Sequence, residues 1–183
     1  MRLGFYHRLL LSSAILSAMC WRPACAEDSK FHPPQTEAEK VLDKIFDLED
    51  KDSNVLFFAL GTPAYDPAKD TGYARLFTKA LLKAWRKKEA DLVQDDCDGK
   101  YREGEICGLD FDPIVCGQDR PDKFVFRTIK SGKESATMIA TWREYVKREE
   151  TFTVYRLVKE EGDWKLDGVD CRNGHTFNMP TVW

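Results

Sequence analysis

Residues 124–142 read FVFRTIKSGKESATMIATW, and this stretch decides the fold class. Its apolar side chains recur at every second position on both sides of Lys130-Ser131-Gly132-Lys133, which has the composition of a compact turn. The residues that share one face of the two strands are Phe124, Phe126, Ala136, Met138, Ala140 and Trp142. The stretch therefore predicts an antiparallel hairpin with one covered face.

The period of two continues toward the C-terminus. Thr153, Tyr155 and Leu157 alternate with Phe152, Val154 and Arg156, and a second compact turn follows at residues 160–163. Trp164, Leu166 and Val169 supply a last strand. The second half of the chain is thus predicted to form an antiparallel meander.

Helical patterns precede this sheet. Thr36 and Glu39 have the spacing of a capping box, in which a hydroxyl and a carboxylate each accept a backbone N–H at a helix start. The apolar face of this first helix consists of Ala38, Val41, Leu42, Ile45 and Phe46.

A longer helix is predicted from an N-cap at Asp70 to about Ala90. The run from Val55 to Leu60 fits either a buried strand or a helix segment. Helices followed by an antiparallel meander define an α+β domain.

The N-terminal 26 residues have the order of a cleavable signal peptide. Arg2 and Arg8 flank the start, an apolar run covers residues 9–19, and Ala24-Cys25-Ala26 matches a cleavage site. A membrane-spanning helix needs about 20 apolar residues, and Arg22 interrupts this run well before that. Neither cysteine of this segment has the aliphatic residue three positions earlier that a lipoprotein site prefers. We therefore expect release into the periplasm or the medium, with a flexible lead at 27–35 and a single domain at 36–183.

Cleavage makes the chain more acidic. The full sequence has 28 Lys and Arg against 31 Asp and Glu. Removing Arg2, Arg8 and Arg22 leaves 25 positive charges and a formal charge of −6. Such a chain is a poor candidate for nucleic-acid binding or for association with anionic membranes, since both require clustered positive charge. We expect no nucleic-acid partner and no stable membrane insertion after cleavage.

Four cysteines follow the signal peptide, at Cys97, Cys107, Cys116 and Cys171. An even number in an exported chain predicts disulfides, and four cysteines allow three connectivities. We favour Cys97 with Cys107, closing a local loop, and Cys116 with Cys171. The second bridge would close about 55 residues, which the chain-entropy model values at about 4 kcal/mol.

One stretch approaches the spacing of a calcium loop. Its oxygen ligands would be Gln94, Asp96, Asp98 and Glu105, with Gly99 at the turn. Gln94 replaces the usual first aspartate, and no exit helix is apparent after Glu105. We therefore predict a polar disulfide-bridged loop there, with no metal and no cofactor, and keep calcium as the weaker alternative.

Several short motifs resemble one family. Leu109-Asp110-Phe111-Asp112-Pro113, Gln118-Asp119 and the hairpin from Tyr155 to Asp167 are similar to a group of small uncharacterised periplasmic proteins. That group is assigned the cone-shaped fold of nuclear transport factor two and ketosteroid isomerase, in which a curved sheet wraps a helix. The resemblance covers most of the mature chain and implies no established reaction.

The resemblance also implies where a pocket would lie. The interior of the cone would receive the aromatic residues Tyr73, Phe77, Trp85 and Trp142. The rim would receive the polar residues Asp110, Asp112, Gln118 and Asp119. Aromatic residues at these periods are more often core than ligand contacts, and the aspartates also fit turn caps around Pro113. Related cones often pair through their sheets, which implies a homodimer.

Two functional classes remain open. The leading interpretation is an exported binding or interaction module whose partner is a small molecule, an envelope component or a protein. The alternative is a small isomerase, dehydratase or hydrolase that uses a pocket carboxylate, with Asp112 and either Tyr155 or Tyr101 as acid–base groups. No residue is assigned a catalytic role from the sequence.

Overall fold

The structure is a computed structural model that describes residues 30–62, 67–69, 72–102, 104–117, 123–147 and 152–171. Its helices are α1 (Glu37–Lys51), α2 (Val55–Leu60) and α3 (Lys79–Cys97), with 3₁₀ turns at Pro67–Lys69, Tyr73–Leu76 and Arg143–Tyr145. Its strands are β1 (Phe124–Ser131), β2 (Ser135–Trp142), β3 (Thr153–Glu160) and β4 (Asp163–Cys171). The α+β class is confirmed. The predicted signal peptide lies outside the described residues, within which no helix has the length and apolarity to span a membrane.

The four strands form one antiparallel sheet in the order β1-β2-β3-β4, as the period of two predicted. Phe126 lies opposite Ala140, Met138 opposite Tyr155, and Tyr155 opposite Val169, so these side chains share one face. The helices cover that face. The sheet is therefore a meander in which each strand pairs with its neighbours in sequence, joined by short turns between β1 and β2 and between β3 and β4.

The starts and ends of the first two helices follow from local chemistry. At α1 the capping box is present: the Glu39 amide donates to Thr36 Oγ1 at 3.2 Å, and the Thr36 amide donates to Glu39 Oε2 at 2.9 Å. Helix α2 ends at Gly61, whose φ of +71° suits a residue without a Cβ. The ambiguous run from Val55 to Leu60 is thus a helix.

Helix α3 starts later and ends later than the sequence predicted. Thr78 is the N-cap, and its hydroxyl accepts from the Leu81 amide at 3.2 Å. The backbone before it cannot join the helix because Phe77 is bridged to Leu166 on β4, and the Thr78 amide donates to the Leu166 carbonyl at 2.9 Å. Asp70, the predicted N-cap, lies outside the described residues, and the described helix begins at Lys79 and continues past Ala90 to Cys97.

Large side chains fill the space between helices and sheet. The largest with less than 2% exposure include Trp85, Tyr73, Tyr155, Phe77 and Phe126. Each of these side chains stabilises the fold by about 2–3 kcal/mol because its apolar surface is removed from water. The core thus draws on both halves of the chain.

The described part of the N-terminal lead, expected to be flexible, is bound to the sheet. His32 and Phe126 exchange two backbone hydrogen bonds, at 2.9 and 2.8 Å. Phe31 packs edge-on against Phe152, with ring centroids 5.1 Å apart. Because β1 is an edge strand with unpaired backbone groups, it offers the lead a partner. The described residues of the lead, Lys30 onward, thus contact the edge of the sheet.

Both disulfides have the favoured connectivity. Cys97 is bonded to Cys107, and Cys116 is bonded to Cys171. The first bridge ties the end of α3 to the loop that follows it. The second ties the loop before the sheet to the end of β4.

Candidate functional site

The predicted pocket residues do not form one site. Tyr73, Phe77 and Trp85 are core residues that pack on one another, with ring centroids 5.0 Å apart for Tyr73 and Phe77 and 5.8 Å for Phe77 and Trp85. Trp142 is half-buried at the end of β2 and stacks on Tyr145 at 4.7 Å. Gln118 and Asp119 lie outside the described residues. Of the predicted set, the structure brings only Asp110 and Asp112 to the same cavity among the residues it describes.

That cavity is an open groove of about 440 Å³, which we call the acidic groove. It lies between α2, the disulfide-bridged loop after α3, and the loop that precedes the sheet. Its described lining is Ser53, Asn54, Leu56, Phe57, Thr62, Glu89, Tyr101, Glu105, Ile106, Cys107, Leu109, Asp110, Phe111, Asp112 and Gly117. Four carboxyl groups and no lysine or arginine belong to this set. Glu105 forms an exposed ion pair with Arg102 at 3.4 Å, so the groove is acidic but one of its carboxylates already has a cationic partner.

Apolar side chains are exposed in the same groove. The side chains of Ile106 and Tyr101 are exposed by 75% and 41%, and among the described residues only Ile129 is a further large exposed apolar side chain. Ile106 precedes Cys107, whose bond to Cys97 fixes the loop to the end of α3. The groove therefore presents two exposed apolar side chains on a loop that the disulfide holds to α3.

Asp112 shapes the wall of the groove. Its carboxylate accepts from the Ile114 amide at 2.7 Å and more weakly from the Val115 amide at 3.4 Å, and its backbone pairs with Gly117. This is the turn-forming role that the sequence offered as the alternative to a pocket role. Asp110, by contrast, is exposed at the groove.

Glu89 forms the floor of the groove. It is 3% exposed, and its carboxylate accepts from Thr62 Oγ1 at 3.1 Å and from the Leu109 amide at 2.8 Å. Burial raises the pKa of Glu89, and these two hydrogen bonds offset that rise only in part. Gly108 lies so close that a Cβ there would be 2.4 Å from Glu89 Oε1, and its φ is +88°. The buried carboxylate therefore requires glycine at position 108.

The sequence reasoning missed Glu89, although a signal was present. Glutamate in a helix is usually exposed, but Glu89 follows Trp85 by four residues and precedes Val93 by four. It thus lies on the same stripe as two buried residues. A charged residue at a core-facing position requires internal partners, which here are a hydroxyl and a backbone amide.

A second group of buried polar side chains lies between α1 and the sheet. The Tyr73 hydroxyl donates to Glu49 Oε1, and the Tyr155 hydroxyl donates to the Ile114 carbonyl at 2.7 Å. Burial, together with the charges of Asp112 and Glu49, raises the pKa of Tyr155 well above its usual value. Tyr73, Glu49 and Tyr155 are each at most 1% exposed. The group joins the helices to the sheet, and Glu49 also borders a cavity of about 280 Å³.

The residues of the calcium alternative do not share one loop in the structure. Gln94 and Asp96 lie in α3, which extends to Cys97, so the loop that calcium would need is absent there. Asp98 instead forms an ion pair with Arg102 at 3.0 Å. The ligand atoms of Cys97, Glu105 and Cys107 lie within 4.8 Å of one another, but both sulfurs are consumed by the disulfide.

Comparisons with protein families, with curated proteins and with solved structures found no match to this chain.

Proposed function

We propose that this protein is an exported interaction module whose acidic groove binds a basic segment of a partner protein. The observation that carries the proposal is that Ile106 and Tyr101 are exposed on a disulfide-bridged loop beside a lining whose described charged residues are all carboxylates. Arg102 of the same loop pairs with one of these carboxylates, Glu105, at the exposed edge. Apolar anchors supply contact area, and the surrounding carboxylates select a cationic partner.

Electrostatic attraction would bring the acidic chain and its basic partner together before the two proteins touch. The formal charge of the chain is −3, and −6 after the proposed cleavage of residues 1–26. Attraction of this kind raises association rates by about 10- to 1,000-fold at low ionic strength and is screened beyond about 8 Å at physiological salt. The proposed complex should therefore weaken as salt is added.

The proposed location follows from the cysteines. Two disulfides in a chain of this length are typical of an oxidising compartment such as the periplasm. We also propose that the helices and the four-stranded meander form the cone of the periplasmic family that the sequence resembles. The placement of all three helices in sequence before the sheet, and their packing on one face of it, supports this assignment.

The enzyme alternative has less support. An acid–base mechanism would use Asp112 with Tyr155, but the first side chain accepts backbone amides and the second is fully buried with its hydroxyl on the Ile114 carbonyl. Tyr101, the other tyrosine considered, is exposed. A catalytic carboxylate and tyrosine must both reach the substrate.

Photo-crosslinking tests the proposal directly. A photoreactive phenylalanine analogue placed at position 106 should give a discrete covalent adduct in the producing cell. Ile129 provides the matched control because it is also an exposed isoleucine but lies on β1, away from the groove. The adduct at position 106 should weaken with Asp110→Asn and Glu105→Gln, since both substitutions remove charge from the groove.

The identity of the adduct decides the outcome. Mass spectrometry should identify a protein whose crosslinked segment carries lysine or arginine. Equal adducts at positions 106 and 129, or an adduct at 106 that the two charge substitutions leave unchanged, would contradict the proposal.

A further inference from the structure

A second cavity lies on the face of the sheet that the helices do not cover. Its volume is about 550 Å³, and it is bounded by the N-terminal lead, by β1 and by the segments on either side of the gap at 148–151. Its charged lining residues in the described part of the chain are Lys30, Arg127 and Arg143, with His32 beside them and no carboxylate. We call this cavity the basic pocket.

Arg127 is held in an unusual setting. Its guanidinium carbon lies 5.0 Å from the centroid of the Phe31 ring and 5.6 Å from that of Phe152. These two rings attract the guanidinium charge, but they offer no oxygen acceptor to its N–H groups. Among the described residues, no hydrogen bond or ion pair satisfies those N–H groups.

Another arginine on this sheet, Arg156, has the carboxylate partner that Arg127 lacks among the described residues. Arg156 of β3 forms an ion pair with Asp167 at 2.7 Å. Arg127 is also half-buried but has no such carboxylate among the described residues. A guanidinium matches a carboxylate or a similar anion through two parallel hydrogen bonds, and that acceptor is what Arg127 lacks.

Two more cations converge on the same cavity from separate segments. Lys30 comes from the lead, which the pairing of His32 with Phe126 fixes to the sheet, and Arg143 follows β2. Neither forms an ion pair with another described residue. Within this cavity the three cations repel one another, and no described carboxylate lines it. Arg143 also borders a neighbouring cavity that contains Asp43, Asp47 and Asp50, so the excess of positive charge is greatest at Lys30 and Arg127.

The rest of the lining is apolar. Phe152, Val125 and Val146 border the cavity, and its volume falls in the range of about 300–1,000 Å³ that small-molecule sites occupy. We propose that the basic pocket binds an organic anion, with a carboxylate at Arg127 and an aromatic or aliphatic body against Phe152. This site is separate from the acidic groove and does not depend on it.

Calorimetric titration of the folded protein with 2-naphthoate tests this assignment, with 2-naphthamide as the neutral ligand of the same shape. The carboxylate should bind at least tenfold more tightly than the amide, and the difference should shrink as salt is added. Equal affinities of the two ligands would overturn the proposal.

Protein variants locate the site. Arg127→Gln should weaken naphthoate binding about tenfold and Arg143→Gln about threefold, since one hydrogen-bonded charge contributes roughly these factors. Lys159→Gln is the matched control because Lys159 is also a cation over an aromatic ring, 5.6 Å from the centroid of Trp164, but it does not line the basic pocket. If Arg127→Gln fails to fold, Arg143→Gln alone decides. Binding of either folded variant that equals the Lys159→Gln control would overturn the site.

Competition distinguishes the nature of the ligand. Decanoate should displace naphthoate at lower concentration than inorganic phosphate does, because phosphate lacks an apolar body. Displacement by a glutamate-rich peptide and not by decanoate would replace the small-ligand proposal with a protein partner. Asp110→Asn, which weakens the proposed function at the acidic groove, should leave naphthoate affinity unchanged.

Discussion

Glu39 and Glu89 are both buried, yet their surroundings shift their pKa values in opposite directions. Burial alone would raise the pKa of Glu39, but hydrogen bonds from Thr128 Oγ1 and from the amides of Thr36 and Gln35 outweigh it, so this pKa is lowered. Burial raises the pKa of Glu89 because its two hydrogen bonds are too few to compensate. The same residue type thus favours the charged form at one site and the neutral form at the other.

These shifts predict opposite pH profiles for two glutamine variants. The contribution of Glu39 to stability is present above its ordinary pKa of 4.5 and is lost as the pH falls through its lower folded value. The contribution of Glu89 is fully present below 4.5 and is lost as the pH rises through its higher folded value. The stability deficit of Glu39→Gln relative to the wild type should therefore grow between about pH 3 and pH 7, and that of Glu89→Gln should shrink.

Urea unfolding across that pH range measures both deficits. Each variant serves as the control for the other because both lose one carboxyl group. Deficits that change with pH in the same direction would contradict the assignment of the two environments.

Individual residues were predictable from the sequence where their partners are local, and not where their partners are distant in sequence. The capping pair Thr36 and Glu39 was found because its chemistry is local. Asp110 and Asp112, predicted at the rim of a cone, border the acidic groove, and the rim itself stays a prediction. Arg127 was not recognised because its aromatic neighbours, Phe31 and Phe152, are distant in sequence and come together only in the folded sheet.

Helix α2 has only six residues, so it depends on contacts with other elements. Arg86 of α3 supplies one: its Nε and Nη2 both donate to the Ala59 carbonyl, at 2.9 and 2.7 Å. This carbonyl lies in the last turn of α2, where intrahelical donors run out. Arg86 thus joins α3 to the helix that forms one wall of the acidic groove.

Replacing Arg86 by alanine should therefore lower the free energy of unfolding by about 1–3 kcal/mol, the usual effect of losing hydrogen bonds to a charged group. The matched control is Lys87→Ala, because Lys87 forms only an exposed pair with Asp91 and should cost less than about 0.5 kcal/mol. Thermal unfolding compares the two. An Arg86→Ala midpoint as high as that of Lys87→Ala would show that the contact does not hold α2.

The elements were predicted well where one local pattern dominated. All four strands followed from alternation, because one face of the sheet packs against the helices. The start of α3 was misplaced because Tyr73 and Phe77 continue the helical spacing of buried residues. The bridge between Phe77 and Leu166, which holds that segment outside the helix, joins residues 89 apart in sequence and leaves no local trace.

In the whole molecule, the two disulfides should contribute unequally to stability. The bridges span sequence separations of 10 and 55 residues. The chain-entropy model gives about 3 kcal/mol for the shorter loop and about 4 kcal/mol for the longer. The pair Cys116→Ala and Cys171→Ala should therefore lower the unfolding midpoint more than the pair Cys97→Ala and Cys107→Ala.

The shorter bridge should matter more for the acidic groove, since it holds the loop that carries Ile106. Loss of this bridge should reduce photo-crosslinking at position 106 under conditions where both double variants remain folded by circular dichroism.

If loss of the longer bridge lowers the melting midpoint less than loss of the shorter one, the entropic account of these two bonds is wrong.

The order of the bridges along the chain has a consequence for biogenesis. Of the four bridged cysteines, the first is bonded to the second, Cys97 to Cys107, and the third to the fourth, Cys116 to Cys171. When a polypeptide emerges from its N-terminal end, an oxidase that joins cysteines consecutively makes this pattern directly. Maturation of the chain should then require a thiol oxidase but no disulfide isomerase. An isomerase is needed when the native bonds are non-consecutive, because it rearranges wrongly paired cysteines by thiol–disulfide exchange.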